Sequence, residues 1–198
     1  NFKIIYLPLI LFLVTLSLIP LFIRWHFLLR NSNIHIPVKN SFLIFLSGGA
    51  LSITPGQIGD LLKSQIMKKK FNIPRTDTTA IILSEKIYDL TAAIIASIIG
   101  IIILGMDIQL TLIAISILAT IFFLIYYRPA FIFFLNQIKK IKFISKYTQN
   151  LSDSYDTLRR STSTKTASIS LPLSITYWLI ISIAVYYTFL AFDVNILN

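Results

Sequence analysis

The chain has 198 residues, of which 56% are hydrophobic and only 13% charged, and its formal net charge is +10. A soluble domain of this size needs more charge to cover its surface, so the composition predicts an integral membrane protein. Cysteine is absent, which excludes disulfides and thiolate metal sites. The two histidines, His26 and His35, lie among basic residues that disfavour cation binding. We therefore expect neither a metal nor another cofactor.

The apolar runs predict the spans. Ile4 to Ile23 contains no charge and is long enough to cross a hydrocarbon core of about 30 Å. Further spans are predicted at 79–106, 110–127 and 167–192. The segment 41–56 is apolar but too short to cross, which is typical of a re-entrant segment. The predicted fold class is all-α, a polytopic transmembrane helical bundle with a re-entrant, broken helical segment.

The basic residues predict the topology. Of 18 Lys and Arg residues, eight lie between Arg24 and Arg75 and eight more between Arg128 and Lys165. The positive-inside rule places both regions in the cytoplasm and both visible ends of the chain outside a cell membrane. Trp25 fits an interfacial anchor. Basic residues beside spans are ordinary topology signals, so the net charge of +10 indicates no nucleic-acid partner.

We interpret residues 1–198 as a single transmembrane domain. An apolar run begins almost directly after Asn1, without the basic region and cleavage site of a signal peptide. The chain stops at Asn198, just after another apolar segment. We therefore expect a piece of a longer membrane protein. The sequence indicates no particular oligomeric state.

A helix-breaking stretch follows the short apolar segment. Pro55 removes a backbone donor, and the glycines allow unusual dihedral angles and close backbone approach. They are Gly48, Gly49, Gly56 and Gly59. A helix that begins near Gly56 would direct free N–H groups and its positive dipole end into the membrane, where they suit a phosphate or carboxylate. A tight turn between two interfacial helices accounts for the same residues, and both interpretations stay open.

Acidic residues enter the next span. Glu85 and Asp89 are four residues apart and share a helix face, with Asp89 near the bilayer centre. A charge at that depth is costly, so we expect both to face the bundle or a water-filled cavity. Lys86 points roughly 100° away and can reach the interface, Asp60 or a lipid phosphate. Asp60 and Lys63 follow the break and would line the same cavity.

The acidic pair also fits two further roles, and both stay open. The pair can form an internal salt bridge that only orders the bundle. Two carboxyl groups can also serve as the acid and base of a hydrolase. Nothing nearby resembles a nucleophile or a metal set, so we do not expect an enzyme.

Together these motifs resemble the flippase-like transmembrane domain of lysylphosphatidylglycerol synthases and their stand-alone relatives. That family has a Pro-Gly-Arg-x-Gly-Glu motif after a short apolar segment, and this chain reads PGQIGD at 55–60. About 25 residues later the family has an acidic-Arg-x-x-Asp motif, and this chain reads EKIYD at 85–89. Lys63 matches the basic residue often seen after the first motif.

The chain departs from the family pattern at four positions. Gln57 replaces the usual Arg, which weakens an anion contact there. Asp60 replaces Glu and keeps the charge on a shorter arm. Lys63 and Lys86 replace Arg, which keeps the charge but loses bidentate phosphate geometry.

The resemblance implies movement of an anionic or phosphate-bearing lipid, either a phospholipid or a polyprenyl-phosphate-linked lipid, between leaflets. Gly56, Gly59, Lys63 and Lys86 would hold the phosphate. Glu85 and Asp89 would hold an amine, couple to protons or balance those lysines, and Asp60 is the third intramembrane acid. As an alternative, the protein is a non-catalytic membrane partner of a glycosyltransferase or another envelope enzyme, in which the polar groups only pack helices.

Overall fold

The computed structural model describes residues 2–50, 58–103, 108–138 and 155–193. This part of the chain is all-helical and contains no strand. A short 3-10 turn, Ile4–Tyr6, precedes the first α-helix. The α-helices are α1 (Leu7–Asn31), α2 (Val38–Ala50), α3 (Ile58–Phe71), α4 (Arg75–Ile103), α5 (Ile108–Tyr126), α6 (Arg128–Ile138), α7 (Tyr155–Ser161) and α8 (Thr164–Ala191).

Two helical stretches among these residues, Ile4–Asn31 and Thr164–Ala191, are long and apolar enough to cross a membrane by length and composition. The first extends past the expected end at Ile23, because α1 continues through the basic residues that follow. The predicted spans at 79–106 and 110–127 fall on α4 and α5, while residues 104–107 lie outside the described part. That these two helices cross a membrane stays a prediction.

Helices α1 and α8 pack against each other in antiparallel orientation. At one end the backbone N–H of Lys3 donates to the carbonyl of Ala191 over 2.7 Å. At the other end the Asn31 amide donates to Thr166 Oγ1 over 2.8 Å. An exposed ion pair joins Lys3 to Asp193. Its hydrogen bond raises the pKa of Lys3 and lowers the pKa of Asp193, so both groups are charged at neutral pH.

Helix α4 packs against α7 and α8 through buried polar contacts. The Ser84 and Ser161 hydroxyls lie 2.6 Å apart, and the Tyr88 hydroxyl donates to the Ser161 carbonyl over 2.8 Å. The Trp178 indole N–H donates to the Asp89 carbonyl over 3.2 Å. Buried polar groups are costly without partners, so these bonds fix how α4 sits against both helices.

Helices α2 and α3 form an antiparallel pair. Lys70 near the end of α3 donates to Asn40 near the start of α2 over 3.3 Å. Closer to the other ends, the Lys63 side chain lies directly against Gly48. Residues 51–57, which connect the two helices and include Pro55, Gly56 and Gln57, lie outside the described residues.

The structure corrects the prediction that Gly48 and Gly49 break the helix. Both lie inside α2, which continues to Ala50. One glycine costs a helix only about 1 kcal/mol relative to alanine, so packing against α3 overrides the low helix propensity of the pair. The predicted break at Pro55 falls on residues outside the described part.

The locations of Arg24 and Trp25 also differ from the sequence prediction. Both lie within α1 rather than in a loop, with Arg24 at 2% and Trp25 at 0% exposure. Trp25 belongs to a core cluster with Leu28, Leu29 and Met67, so the prediction of an interfacial anchor is wrong. The topology prediction included Arg24 in a cytoplasmic region, but in the structure its side chain is buried between helices.

We predict that Tyr88→Phe destabilises the packing of α4 against α7. The substitution leaves the Ser161 carbonyl without the Tyr88 hydroxyl, at a cost of about 1 kcal/mol. A cost of that size lowers the melting temperature by roughly 2–4 °C in a chain of this length. Thermal denaturation in detergent measures the change, and Tyr127→Phe is the matched control because Tyr127 is 53% exposed. Equal melting temperatures of the two variants would contradict the prediction.

Candidate functional site

Two carboxylates of α4 face the interior of the helix packing. Glu85 and Asp89 are one turn apart, as their spacing predicts. The Glu85 side chain is 6% exposed and that of Asp89 is 27% exposed. A carboxylate removed from water needs positive partners or strong hydrogen bonds, or it becomes protonated. The structure supplies cations from two other helices.

Arg24 of α1 is the first cation. Its guanidinium donates to both carboxylate oxygens of Asp89, with Nη1 2.5 Å from Oδ1 and Nη2 3.1 Å from Oδ2. Nη1 also donates to Ser174 Oγ of α8 over 2.5 Å. The planar guanidinium matches the two carboxylate oxygens, which is the strong bidentate geometry for such a pair. Arg24 therefore ties α1, α4 and α8 together in one polar contact.

Lys63 of α3 is the second cation. Its Nζ lies 3.1 Å from Glu85 Oε2, while Glu85 Oε1 lies 3.8 Å from Nη2 of Arg24. The ammonium also faces the rings of Trp25 at 4.7 Å and Phe45 at 5.6 Å. Aromatic faces attract a cation, and more strongly when water is excluded. Glu85 thus bridges Lys63 and Arg24, and the network connects four helices.

The network borders a cavity of about 690 Å³. Along α1 the cavity runs from Val14 to Arg24, about 15 Å of helix. One end carries charged side chains and the remainder is mainly apolar. The lining includes Val14, Ser17, Leu18, Leu21, Arg24, Phe45, Leu46, Lys63, Glu85, Lys86, Asp89, Tyr177 and Ile181. A site of this shape suits an amphiphile, with a charged group at one end and hydrocarbon along the rest.

A family model described as the lysylphosphatidylglycerol synthase TM region matches residues 1–196. The chain belongs to this family. The match covers nearly the whole chain, well beyond the two motifs that suggested the resemblance. Neither the curated proteins nor the solved structures provide a match. This member of the family is therefore an integral membrane protein of the flippase-like kind.

The structure brings several of the predicted site residues together. Lys63, Lys86, Glu85 and Asp89 all line the cavity. Gly59 is buried in α3 but is not among the described lining residues. Two more predicted positions, Gly56 and the side chain of Asp60, lie outside what the structure describes. Within the described ranges no group of three or more His, Asp or Glu residues is arranged to hold a metal ion.

Sequence reasoning missed Arg24 as the cation beside Asp89, and Ser174 as a further hydrogen-bond partner of Arg24. Arg24 is 65 residues away from Asp89, and Ser174 is 150 residues away from Arg24. One signal was present in the sequence. Val14, Ser17, Leu21 and Arg24 are spaced three or four residues apart, so a helix that continues past Ile23 places Arg24 on the same face as Ser17. In the structure this face lines the cavity.

We predict that Arg24→Gln strongly destabilises the protein. The substitution leaves Asp89 and Glu85 without their shared cation, and removing one partner of a buried pair costs about 3–5 kcal/mol. Denaturation in detergent measures the loss. Arg30→Gln is the matched control, because Arg30 is an exposed arginine of the same helix. If the two variants are equally stable, Arg24 does not hold the network together.

Proposed function

We propose that this chain binds an anionic or phosphate-bearing lipid in the cavity beside the charged network and moves its headgroup between leaflets. One observation carries the proposal. Three basic and two acidic side chains lie at one end of a cavity that is otherwise mainly apolar. The basic residues are Arg24, Lys63 and Lys86, and the acidic residues are Glu85 and Asp89. The excess of positive charge among these described side chains favours an anionic ligand.

Lys63 and Glu85 support reversible binding. A lipid phosphate that enters the cavity can take the place of Glu85 beside the Lys63 ammonium, because both are oxygen anions that accept charge-assisted hydrogen bonds. When the headgroup leaves, Glu85 pairs with Lys63 again. Neither state leaves the ammonium buried without an anion, and Glu85 keeps Arg24 as a cation when the phosphate is bound. The exchange therefore creates no unpaired buried charge, which keeps binding and release close in free energy. A transporter needs this balance more than it needs tight binding.

The apolar part of the cavity supports a lipid rather than a soluble anion. Val14, Leu18 and Leu46 line it, yet they are 43%, 39% and 38% exposed. Side chains that line the cavity and are also exposed mark the place where the cavity opens to the protein surface. In a membrane that surface contacts hydrocarbon, so the acyl chains can stay in the bilayer while the headgroup enters.

We propose a polytopic bundle in which α2 and α3 form the re-entrant segment. With 13 and 14 residues, each helix is about 20 Å long, which is shorter than a hydrocarbon core of about 30 Å. Their antiparallel pairing returns the chain to the side from which it entered. The exposed basic residues of region 24–75, such as Arg30 and Lys68, then lie on the cytoplasmic side of a multi-pass cell-membrane protein, together with region 128–165. Arg24 and Lys63 of the first region lie inside the bundle. The Lys3–Asp193 ion pair supports this topology, because two groups in contact at one end of the α1–α8 pair lie on the same side of a membrane.

Two roles in the proposal rest on the sequence motifs. Gly56 and Gly59, after Pro55, would present backbone N–H groups to the phosphate at the start of α3. Glu85 and Asp89 would balance the cations or receive an amine of the headgroup. The proposal assigns no catalytic step to any of these residues.

We predict that Lys63→Gln lowers lipid translocation about tenfold or more. The change removes one charged hydrogen-bond donor from the headgroup, worth about 1.5–3 kcal/mol, and 1.4 kcal/mol corresponds to tenfold. The intact protein is reconstituted in phosphatidylethanolamine–phosphatidylglycerol vesicles, and fluorophore-labelled phosphatidylglycerol is followed by chemical quenching from outside. Lys68→Gln is the control, because Lys68 is an exposed lysine of the same helix. Equal rates for both variants would reject the assigned role of Lys63.

The paired charges also suit a second function. Arg24, Lys63, Glu85 and Asp89 contact one another, as they would if they only held helices together beside a glycosyltransferase or another envelope enzyme. In that case removal of this protein abolishes the activity of the co-purifying enzyme. Labelled lipid would then redistribute at the same rate with and without the protein.

A further inference from the structure

We infer that Gly48 is a positioning residue, which holds the Lys63 ammonium beside Glu85 by leaving room for the lysine stem. The geometry of this contact stands independently of any ligand. Its consequence for lipid movement rests on the proposed function. Gly48 lies in α2, Lys63 in α3 and Glu85 in α4, so the residue acts across the α2–α3 pair.

The Lys63 stem occupies the space that a side chain at position 48 would need. A Cβ on Gly48 would overlap Cε of Lys63 and lie only 2.8 Å from Cγ and 3.0 Å from Cδ. Three consecutive stem carbons approach the α2 backbone, and rotation of the terminal amine alone does not relieve contacts with Cγ and Cδ. Any residue other than glycine therefore requires the whole lysine side chain to move.

The surroundings leave Lys63 little room to move and keep its partner. The ammonium already faces Trp25 at 4.7 Å and Phe45 at 5.6 Å. Trp25 is fully buried in the core, so it does not yield space easily. In the wild type, Lys63 Nζ lies 3.1 Å from Glu85 Oε2. A methyl group at position 48 therefore moves Nζ away from this oxygen. The open direction is the cavity that Lys63 lines.

Gly49 provides the internal comparison. It is the next residue of the same helix, but a Cβ there would meet no atom of the described residues within 4 Å. Alanine favours a helix over glycine at either position, so helix propensity alone predicts that both substitutions are harmless or stabilising. Among the described atoms that an added Cβ would meet, those of Lys63 distinguish the two sites.

The acetylation rate of Lys63 tests the inference directly. The intact protein in vesicles is treated with acetic anhydride, and modification of each lysine is followed by peptide mass spectrometry. In the wild type and in Gly49→Ala, Lys63 is buried and paired, so we expect slow acetylation relative to the exposed Lys68. In Gly48→Ala we expect Lys63 to react several-fold faster. Protection of Lys63 in Gly48→Ala equal to that in Gly49→Ala overturns the inference.

A double-mutant cycle tests the functional consequence. Lys63→Ala removes all three carbons that a Cβ at position 48 would meet. We expect Gly48→Ala to slow translocation of labelled phosphatidylglycerol several-fold, Lys63→Ala to slow it about tenfold or more, and the double variant to equal Lys63→Ala. Gly100→Ala is the activity control, since an added Cβ there meets no described atom within 4 Å. Independent, multiplying effects of the two changes overturn the inference.

The two experiments separate the possible failures. If the wild type moves no lipid, the proposed function fails, while Lys63 acetylation still decides the role of Gly48. If Gly48→Ala does not fold, the double variant with Lys63→Ala lacks the overlap and is expected to fold like Lys63→Ala. A double variant that fails to fold shows that position 48 excludes alanine for another reason, and this result also overturns the inference.

Discussion

The arrangement of these helices depends on the neutralisation of two carboxylates that α4 carries away from water. A buried ionised carboxylate is tolerated only with a cation or several hydrogen bonds beside it. Arg24 and Lys63 provide that charge from α1 and α3, and Ser174 of α8 accepts a further hydrogen bond from Arg24. Because the cations come from different helices, the pairing requirement fixes the mutual positions of α1, α3, α4 and α8.

The same network gives the cavity its chemical character. A network that ended in well-packed side chains would serve only to order the helices. Here it ends at open space bordered by Lys63, Lys86 and Glu85, with apolar side chains of α1 and α2 beyond. In the proposed function, an anionic headgroup exchanges with Glu85 beside Lys63, whose ammonium is already largely removed from water. This is the physical link between the helix packing and the proposed movement of a lipid headgroup.

Part of this arrangement could be predicted from the sequence. Helical periodicity alone placed Glu85 and Asp89 on one face, and the cost of intramembrane charge directed them inward. The partners could not be predicted, because contacts such as Arg24 to Asp89 join residues 65 positions apart and depend on how α1 packs on α4. Arg24 and Trp25 were misjudged because a basic or aromatic residue after an apolar run fits a membrane interface equally well. Gly48 was interpreted as a helix breaker, but it lies inside α2, where the Lys63 stem occupies the space that a side chain at this position would need.

The central claim is that the buried charges form a binding site for an anionic headgroup, and lipid-dependent thermal stability tests it most directly. A ligand that binds only the folded protein raises its melting temperature as occupancy increases. In a neutral detergent, added phosphatidylglycerol is expected to raise the melting temperature of the wild type well above the effect of phosphatidylcholine with the same acyl chains. The difference is expected to vanish in Lys63→Gln. Equal stabilisation of the wild type by the two lipids would contradict the claim.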